Sequence, residues 1–165
     1  MVARKRELPP EIDNSELLLR AVSTPSCLDA DNRAKHLAFR LYDNQEDVSL
    51  CRLLYCGLID FLIKAIRFPF RYISPKDVFA GAVEFRAGAV RELDEHIVLK
   101  ATPRFNNPSH ASIFYMKHDG SFFVGVPSTD PVDSSILVYE MALASIVSKV
   151  YNIKGEVIWK AQSEP

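Results

Sequence analysis

The sequence has little excess charge of either sign, because 20 Lys and Arg residues are balanced by 21 Asp and Glu residues. Proteins that coat nucleic acid or an acidic membrane carry a surplus of basic residues, so this balance argues against both kinds of partner. Long apolar runs are also missing. The longest, Leu53–Ile66, is interrupted by Asp60 and Lys64 and is shorter than the ~20 residues that span a bilayer. We therefore expect no membrane span.

Cysteine is scarce, with three residues at Cys27, Cys51 and Cys56 and no Cys-x-x-Cys pair. No apolar signal segment precedes them, so we expect buried, reduced thiols and a cytoplasmic location. A glycine-rich phosphate loop and the Gly-x-Ser-x-Gly and His-Glu-x-x-His motifs are absent from the sequence. None of the four histidines has a partner three or four residues away, so the sequence predicts no metal site.

Length and composition are those of one folded domain. The 165 residues are 48% hydrophobic, which is enough to build a core without disulfides or metal. A short basic run and two prolines near the start predict a solvated tail over residues 1–14. We expect a single domain over residues 15–165.

Alternation of apolar and polar residues predicts a series of strands. They are Glu16–Val22, His36–Tyr42, Gly81–Arg86, His96–Thr102, Ser112–Met116, Phe122–Val126 and Glu156–Trp159. The Asp119-Gly120 pair between two of these strands is typical of a hairpin turn. In the first strand Arg20 has apolar neighbours, so we expect its guanidinium to bond a carboxylate, a backbone carbonyl or a ligand anion.

Apolar residues at helical spacing predict two helices. The first, Val48–Arg67, is apolar on nearly every side and follows Asp47 as a candidate N-cap. The second is Pro131–Tyr151, with Asp130 as its candidate N-cap. Strands and helices do not alternate regularly. The sequence therefore predicts an α+β fold, with a largely antiparallel sheet packed on a long buried helix and on a second, C-terminal helix.

The stretch from Arg104 to Ile113 is the most unusual in composition, because two Asn, a Pro and a Ser lead into His110 at the start of an apolar strand. Such a loop places polar side chains at the rim of a sheet, which makes Asn107 and Ser112 candidate ligand-binding residues. His110 is a candidate general acid or base, because its pKa lies near neutrality. The alternative is an Asx turn in the loop and a hydrogen bond from His110 to a nearby carbonyl.

Arg20, Arg40 and Arg104 form a second candidate set. If the predicted strands that carry Arg20 and Arg40 pair, the two guanidiniums approach each other and form an anion pocket. The alternative is a set of separate surface ion pairs.

Basic and aromatic residues interleave just after the first helix. They are Lys64, Arg67, Phe68, Phe70, Arg71, Tyr72 and Lys76. This pattern suits a surface that stacks bases and follows phosphates. It equally suits a helix end where cations meet the last carbonyls, followed by core aromatics, and we favour this second interpretation.

The chain resembles a group of small uncharacterised bacterial proteins in four short motifs, which are Leu18-Leu19-Arg20, Ala38-Phe39-Arg40, Val48-Ser49-Leu50 and Asn107-Pro108-Ser109-His110-Ala111. The resemblance extends from about Glu16 to Tyr115. It implies a bacterial cytoplasmic protein and no particular activity. It also implies a strand at Val48-Ser49-Leu50, where the helical spacing predicts the start of a helix.

An early strand with Arg20 is similar to the start of ADP-ribosyltransferase-like domains, in which such an arginine holds a nicotinamide dinucleotide. That resemblance implies NAD as a cofactor and a ribose-acting glutamate, for which Glu84 and Glu156 are the candidates. The Ser-Thr-Ser and His-Tyr companions of those domains are not recognisable in this sequence.

Two functional classes follow. The first is an accessory protein without a cofactor that binds a protein partner or a second copy of itself, since the sequence contains no assembled catalytic motif. The second is a nucleotide-acting enzyme in which Arg20 and Arg40 bind phosphates and either His110 or a strand glutamate carries out proton or ribose chemistry. The second class requires these side chains to share one pocket.

Overall fold

The computed structural model describes residues 8–67 and 72–162, which form a seven-stranded sheet with antiparallel pairing throughout. The strands are β1 Leu17–Thr24, β2 Asp47–Arg52, β3 Val78–Arg86, β4 Ile97–Ala101, β5 His110–Tyr115, β6 Lys149–Tyr151 and β7 Val157–Lys160. Their order across the sheet is β4-β5-β2-β1-β3-β6-β7. The predicted mixed α+β class with an antiparallel sheet is therefore present.

Short helices cover the two faces of this sheet. In the described residues they are a 3₁₀ helix His36–Phe39, α1 Leu53–Cys56, α2 Leu58–Arg67, α3 Ala87–Arg91 and α4 Ser134–Ser145. On one face, Phe39 of the 3₁₀ helix and Leu143 of α4 pack with Leu18 of β1 in the main core. On the other face, Leu62 of α2 packs beside Leu19 of β1. Successive residues of β1 thus serve opposite faces, as the alternation predicts.

The prediction of a long buried helix over Val48–Arg67 is wrong. Its first part is strand β2, because Val48 and Leu50 alternate with polar residues and pair with β5. A strand at this position is what the resemblance to small bacterial proteins implies. Gly57, with φ of 69°, then separates α1 from α2. Four apolar side chains of α1 and α2 remain exposed, namely Leu54, Ile59, Ile63 and Ile66.

Two of the predicted strands are also wrong. His36–Tyr42 begins with the 3₁₀ helix instead. Residues 122–126 make hydrogen bonds to two neighbours without joining a ladder: Phe123 N donates to Tyr115 O, and Gly125 N donates to Gln45 O. A Cβ at Gly125 would lie 1.9 Å from the Tyr42 carbonyl oxygen, so only glycine permits this approach. The predicted strands at residues 16–22, 81–86, 96–102, 112–116 and 156–159 are confirmed as β1, β3, β4, β5 and β7.

The C-terminal helix is shorter than predicted. It ends at Ser145, and the residues from Lys149 onward pair with β3 as strand β6. Its N-cap is Asp133, whose carboxylate accepts the Ser135 N–H at 2.8 Å, and not Asp130.

The start of the described chain is attached to the sheet through Arg52. This buried side chain of β2 donates to the Glu16 carboxylate at 2.7 and 2.6 Å and to the Pro9 and Glu11 carbonyls at 2.7 and 3.2 Å. Ile12 is buried in the main core. Residues 9–12 of the predicted 1–14 tail therefore pack on the fold, and residues 1–7 lie outside the described part.

Two further predictions concern the aromatic-basic stretch after α2 and the absence of a membrane span. The aromatic-basic stretch falls partly outside the described residues, because Phe68, Phe70 and Arg71 are not among them. Within the described residues, no helix combines the length and the apolar character that crossing a membrane requires.

Candidate functional site

A pocket opens where β1 and β2 part from each other. These strands pair only at Leu18 with Arg52 and at Leu19 with Cys51, after which β1 continues beside β3 and β2 beside β5. The resulting pocket has a volume of about 470 Å³. Its walls come from β1, β2, α2 and the loop between β4 and β5.

Arg20 crosses the gap between the two strands. Its Nε donates to the Ala38 carbonyl at 3.1 Å, and its Nη1 donates to the Ser49 carbonyl at 2.9 Å. The expectation that this buried guanidinium finds backbone carbonyls is therefore confirmed. Its Nη2 group makes no hydrogen bond within the described residues. Because Arg20 also lines the pocket, one N–H edge of a fixed cation remains available to a ligand anion.

A chain of hydrogen bonds determines which nitrogen of His110 carries a proton. The Ser112 hydroxyl donates to the Asp47 carboxylate at 2.7 Å, so it must accept from the Thr102 hydroxyl, 2.7 Å away. The Thr102 oxygen can then only accept from His110 Nδ1, at 2.8 Å. The Thr102 carbonyl, 3.1 Å from Nδ1, requires the same proton. His110 therefore holds its proton on Nδ1.

The other nitrogen of His110 is a free acceptor. Nε2 is buried and has no hydrogen-bond partner within the described residues. Burial lowers the pKa of His110, and the positive charge of Arg104 lowers it further, so the ring is neutral near neutral pH. A buried lone pair without a donor is costly unless a ligand supplies one. His110 lines the pocket, which makes Nε2 the natural acceptor for a ligand hydroxyl or protonated group.

Two thiols lie beside the histidine. Cys51 is the direct cross-strand partner of His110, and Cys56 lines the same pocket from α1. Cys51 Sγ lies 3.1 Å from Ser109 Oγ, which in turn donates to the Asn107 amide oxygen. Interaction with the Cys56 thiol lowers the pKa of Cys51 against the opposing effect of burial, and the pKa of Cys56 is raised in return. The thiols are thus part of the polar wall and not isolated core groups.

The pocket is positively charged at its walls. Lys64 from the last turn of α2 and Arg104 from the β4–β5 loop join Arg20, and no carboxylate lines the pocket in the described part of the chain. The nearest acidic group is Asp47, 3.6 Å from the Arg104 guanidinium. The rings of Tyr42 and Phe61 and the amides of Gln45, Asn106 and Asn107 complete the lining. Such a surface favours an anion attached to a planar or apolar group.

Four of the six predicted site residues meet in this pocket, namely Arg20, Arg104, Asn107 and His110. Ser112 lies behind His110 and acts in the hydrogen-bond chain instead of lining the pocket. Arg40 is elsewhere: it follows the 3₁₀ helix and lines a different cleft beside α4. The prediction that Arg20 and Arg40 converge is therefore wrong, because residues 36–39 do not form the strand that was to pair with β1.

Several site residues were not predicted from the sequence as parts of a site. Asp47 was expected to cap a helix, but it begins β2 and anchors the hydrogen-bond chain. The residues around Thr102, Cys51 and Cys56 in the sequence do not indicate a site, because the roles of these side chains depend on pairing between distant strands. The described residues contain no cluster of three metal-ligating side chains.

No family model matches the sequence, and searches of curated proteins and of solved structures found no significant match to the chain. The function is therefore argued from the geometry alone.

Proposed function

We propose that the protein binds a small phosphate-bearing ligand of the nucleotide class in the pocket between β1, β2 and α2. One observation carries the proposal: Arg20, Arg104 and His110, whose buried Nε2 has no hydrogen-bond partner within the described residues, line a single pocket. Of the residues expected to converge in a nucleotide-acting protein, Arg20 and His110 line this pocket, and Arg40 lines the other cleft.

Charge and size both fit such a ligand. A phosphate would accept from the free Nη2 of Arg20 and bring a negative charge beside Lys64 and Arg104, the second of which already has the Asp47 carboxylate at 3.6 Å. The volume of about 470 Å³ lies within the usual range for small-molecule sites. Phe61 lines the pocket and offers an aromatic surface for a base. His110 Nε2 would accept a hydrogen bond or a proton from a ligand hydroxyl.

The ADP-ribosyltransferase variant of this proposal has less support. Glu84 pairs in register with Leu19 and accepts from the Tyr151 hydroxyl, and Glu156 bonds Asn152 in the β6–β7 turn. Neither glutamate lines the pocket with Arg20. We therefore propose nucleotide binding without committing the site to NAD.

The test is calorimetric titration of the full chain with AMP, adenosine and inorganic phosphate. We expect AMP to bind more tightly than adenosine. Arg104→Gln should lower the affinity for AMP about tenfold, because a charge-assisted hydrogen bond is lost. Arg33→Gln is the matched control, since Arg33 is exposed and does not line the pocket. Equal weakening by both variants, or failure of AMP to bind at all, would overturn the proposal.

A second candidate function is self-association through α1 and α2. We infer it from the exposed apolar side chains Leu54, Ile59, Ile63 and Ile66, of which Leu54 is 76% exposed. The occupant would be a second copy of the chain, because a net charge of -1 sets up little repulsion between copies. Light scattering should give a dimer that Leu54→Lys and Ile66→Lys convert to monomer. A monomeric parent protein would exclude this candidate.

We place the protein in the bacterial cytoplasm as part of this proposal. The support is the resemblance to small bacterial proteins and the free state of Cys27, Cys51 and Cys56, which suits a reducing compartment.

A further inference from the structure

A second concave region lies on the α4 side of the molecule and shares no residue with the pocket around His110. This cleft has a volume of about 830 Å³. It is bounded by Arg40 and Leu41 after the 3₁₀ helix, by the turn that follows β5, and by the first half of α4.

Glu140 of α4 is the unusual residue of this cleft. The side chain is 1% exposed, and neither carboxylate oxygen has a hydrogen-bond partner within the described residues. The other deeply buried glutamate, Glu84, accepts from the Tyr151 hydroxyl and has Lys149 at 3.8 Å. A buried carboxylate without donors is strongly disfavoured, so a ligand that supplies donors to Glu140 would stabilise its charged form.

Arg40 is the complementary group. It lines the same cleft, and its side chain makes no hydrogen bond or ion pair within the described residues. The charge of Arg40 acts to lower the pKa of Glu140, yet no ion pair joins the two side chains. Lys117 and His118 add basic groups at the rim, while Asp133 is engaged as the N-cap of α4. Glu140 and Arg40 thus give the cleft a carboxyl group and a guanidinium that have no hydrogen-bond partner within the described residues.

Between the charged groups the wall is apolar, and its main contributors are Leu41, Phe123, Val132 and Ile136. We propose that the cleft binds a small zwitterion with an apolar body, which is the chemistry of a free amino acid with an apolar side chain. Its ammonium group donates to Glu140, its carboxylate meets Arg40, and its side chain lies on the apolar wall. Binding must first uncover the Glu140 carboxylate, so we expect affinity in the millimolar range.

The test uses L-phenylalanine and its two half-molecules, phenethylamine and 3-phenylpropionate, titrated into the ¹⁵N-labelled full chain and followed by NMR. We expect phenylalanine to shift the amides of the cleft and each half-molecule to bind at least about tenfold more weakly, because each lacks one charged contact. Glu140→Gln and Arg40→Gln should each lower the affinity for phenylalanine by a similar factor. Glu92→Gln and Arg33→Gln, at exposed positions outside the cleft, should not.

Three results would overturn the proposal. They are unchanged affinity in Glu140→Gln, half-molecules that bind as well as phenylalanine, or the absence of any amide shift in the cleft. Arg40→Gln provides an independent variant if Glu140→Gln fails to fold. The AMP titration concerns a different pocket, so the two proposals succeed or fail separately.

Discussion

Two carboxyl groups in different elements of the fold differ in their hydrogen-bond partners. Glu16, at the start of β1, and Glu140, in α4, both have buried side chains. Glu16 accepts two hydrogen bonds from Arg52, which lower its pKa. Burial without any donor raises the pKa of Glu140 to about 7. The difference teaches that partners, and not depth alone, decide whether a buried charge stabilises the fold or remains available for a ligand.

The same contrast separates the two concave regions. In the pocket, His110 Nδ1 belongs to a hydrogen-bond chain that runs through Thr102 and Ser112 to Asp47. In the cleft, Glu140 and Arg40 belong to no such chain. A connected network holds its groups rigidly, whereas isolated groups respond to whatever binds.

Removing Arg52, the hydrogen-bond donor to Glu16, should have the largest effect on the free energy of unfolding. Arg52→Ala removes both Arg52 hydrogen bonds from the buried Glu16 carboxylate, which keeps only the Asp13 N–H, and deletes the bonds to the Pro9 and Glu11 carbonyls. We expect a loss of about 3–5 kcal/mol in the free energy of unfolding, measured with urea. Arg33→Ala is the matched exposed control. A loss below about 1 kcal/mol would contradict the assigned role of Arg52.

The unpartnered carboxyl should make stability depend on pH. The pKa of Glu140 rises from an ordinary 4.5 to about 7 on folding. The folded state therefore keeps a proton that the unfolded state has lost, and stability declines as the pH rises from about 4.5 to about 7. The expected decline is on the order of 3 kcal/mol. Urea unfolding across this range should show a slope that Glu140→Gln removes, and an unchanged slope in that variant would contradict the account.

Breaking the His110 chain should have a smaller effect on stability and a clear spectroscopic one. Thr102→Val removes the hydroxyl between His110 and Ser112 while keeping the shape of the side chain. We expect a loss of about 1 kcal/mol. The ¹⁵N shifts of the imidazole should also move away from a single Nδ1–H tautomer. Retention of that tautomer would mean that the Thr102 carbonyl alone selects it.

Removing the charge of Asp94, an exposed carboxylate with a hydrogen-bond partner, should have the smallest effect on stability. Asp94 accepts from the backbone N–H and the ring of His96, but its side chain is open to solvent. Asp94→Asn should change the free energy of unfolding by less than about 0.5 kcal/mol. A loss comparable to that of Arg52→Ala would show that burial contributes less to the comparison than we infer.

The strands were the most predictable part of the fold. β1, β3, β4, β5 and β7 were found from alternation alone, because each has one face toward a core and a side-chain period of two. Residues 47–67 were not. Leu50 fits both the strand alternation with Val48 and the helical spacing with Leu53 and Leu54, and pairing with β5 decides between them. Apolar spacing also does not predict that Ile63 and Ile66 are exposed to solvent.

The candidate site was predictable in part. His110, Arg104 and Asn107 stood out because a polar loop precedes an apolar strand, and Arg20 stood out as a charge among apolar neighbours. Arg40 looked equivalent to Arg20 but lines another cleft. Nothing in the sequence around Glu140 marked it as unpartnered, since it occupies an ordinary helical position.

Local periodicity was sufficient for the α+β class and for most of the strands, because each depends on residues a few positions apart. The pocket and the cleft depended on the whole fold. Asp47 meets Ser112 across 65 positions of sequence, and no hydrogen-bond donor of the described residues reaches the buried Glu140 carboxylate. Hydrogen-bond partners are set by which segments become neighbours in space, and that choice is made by the free energy of the entire chain.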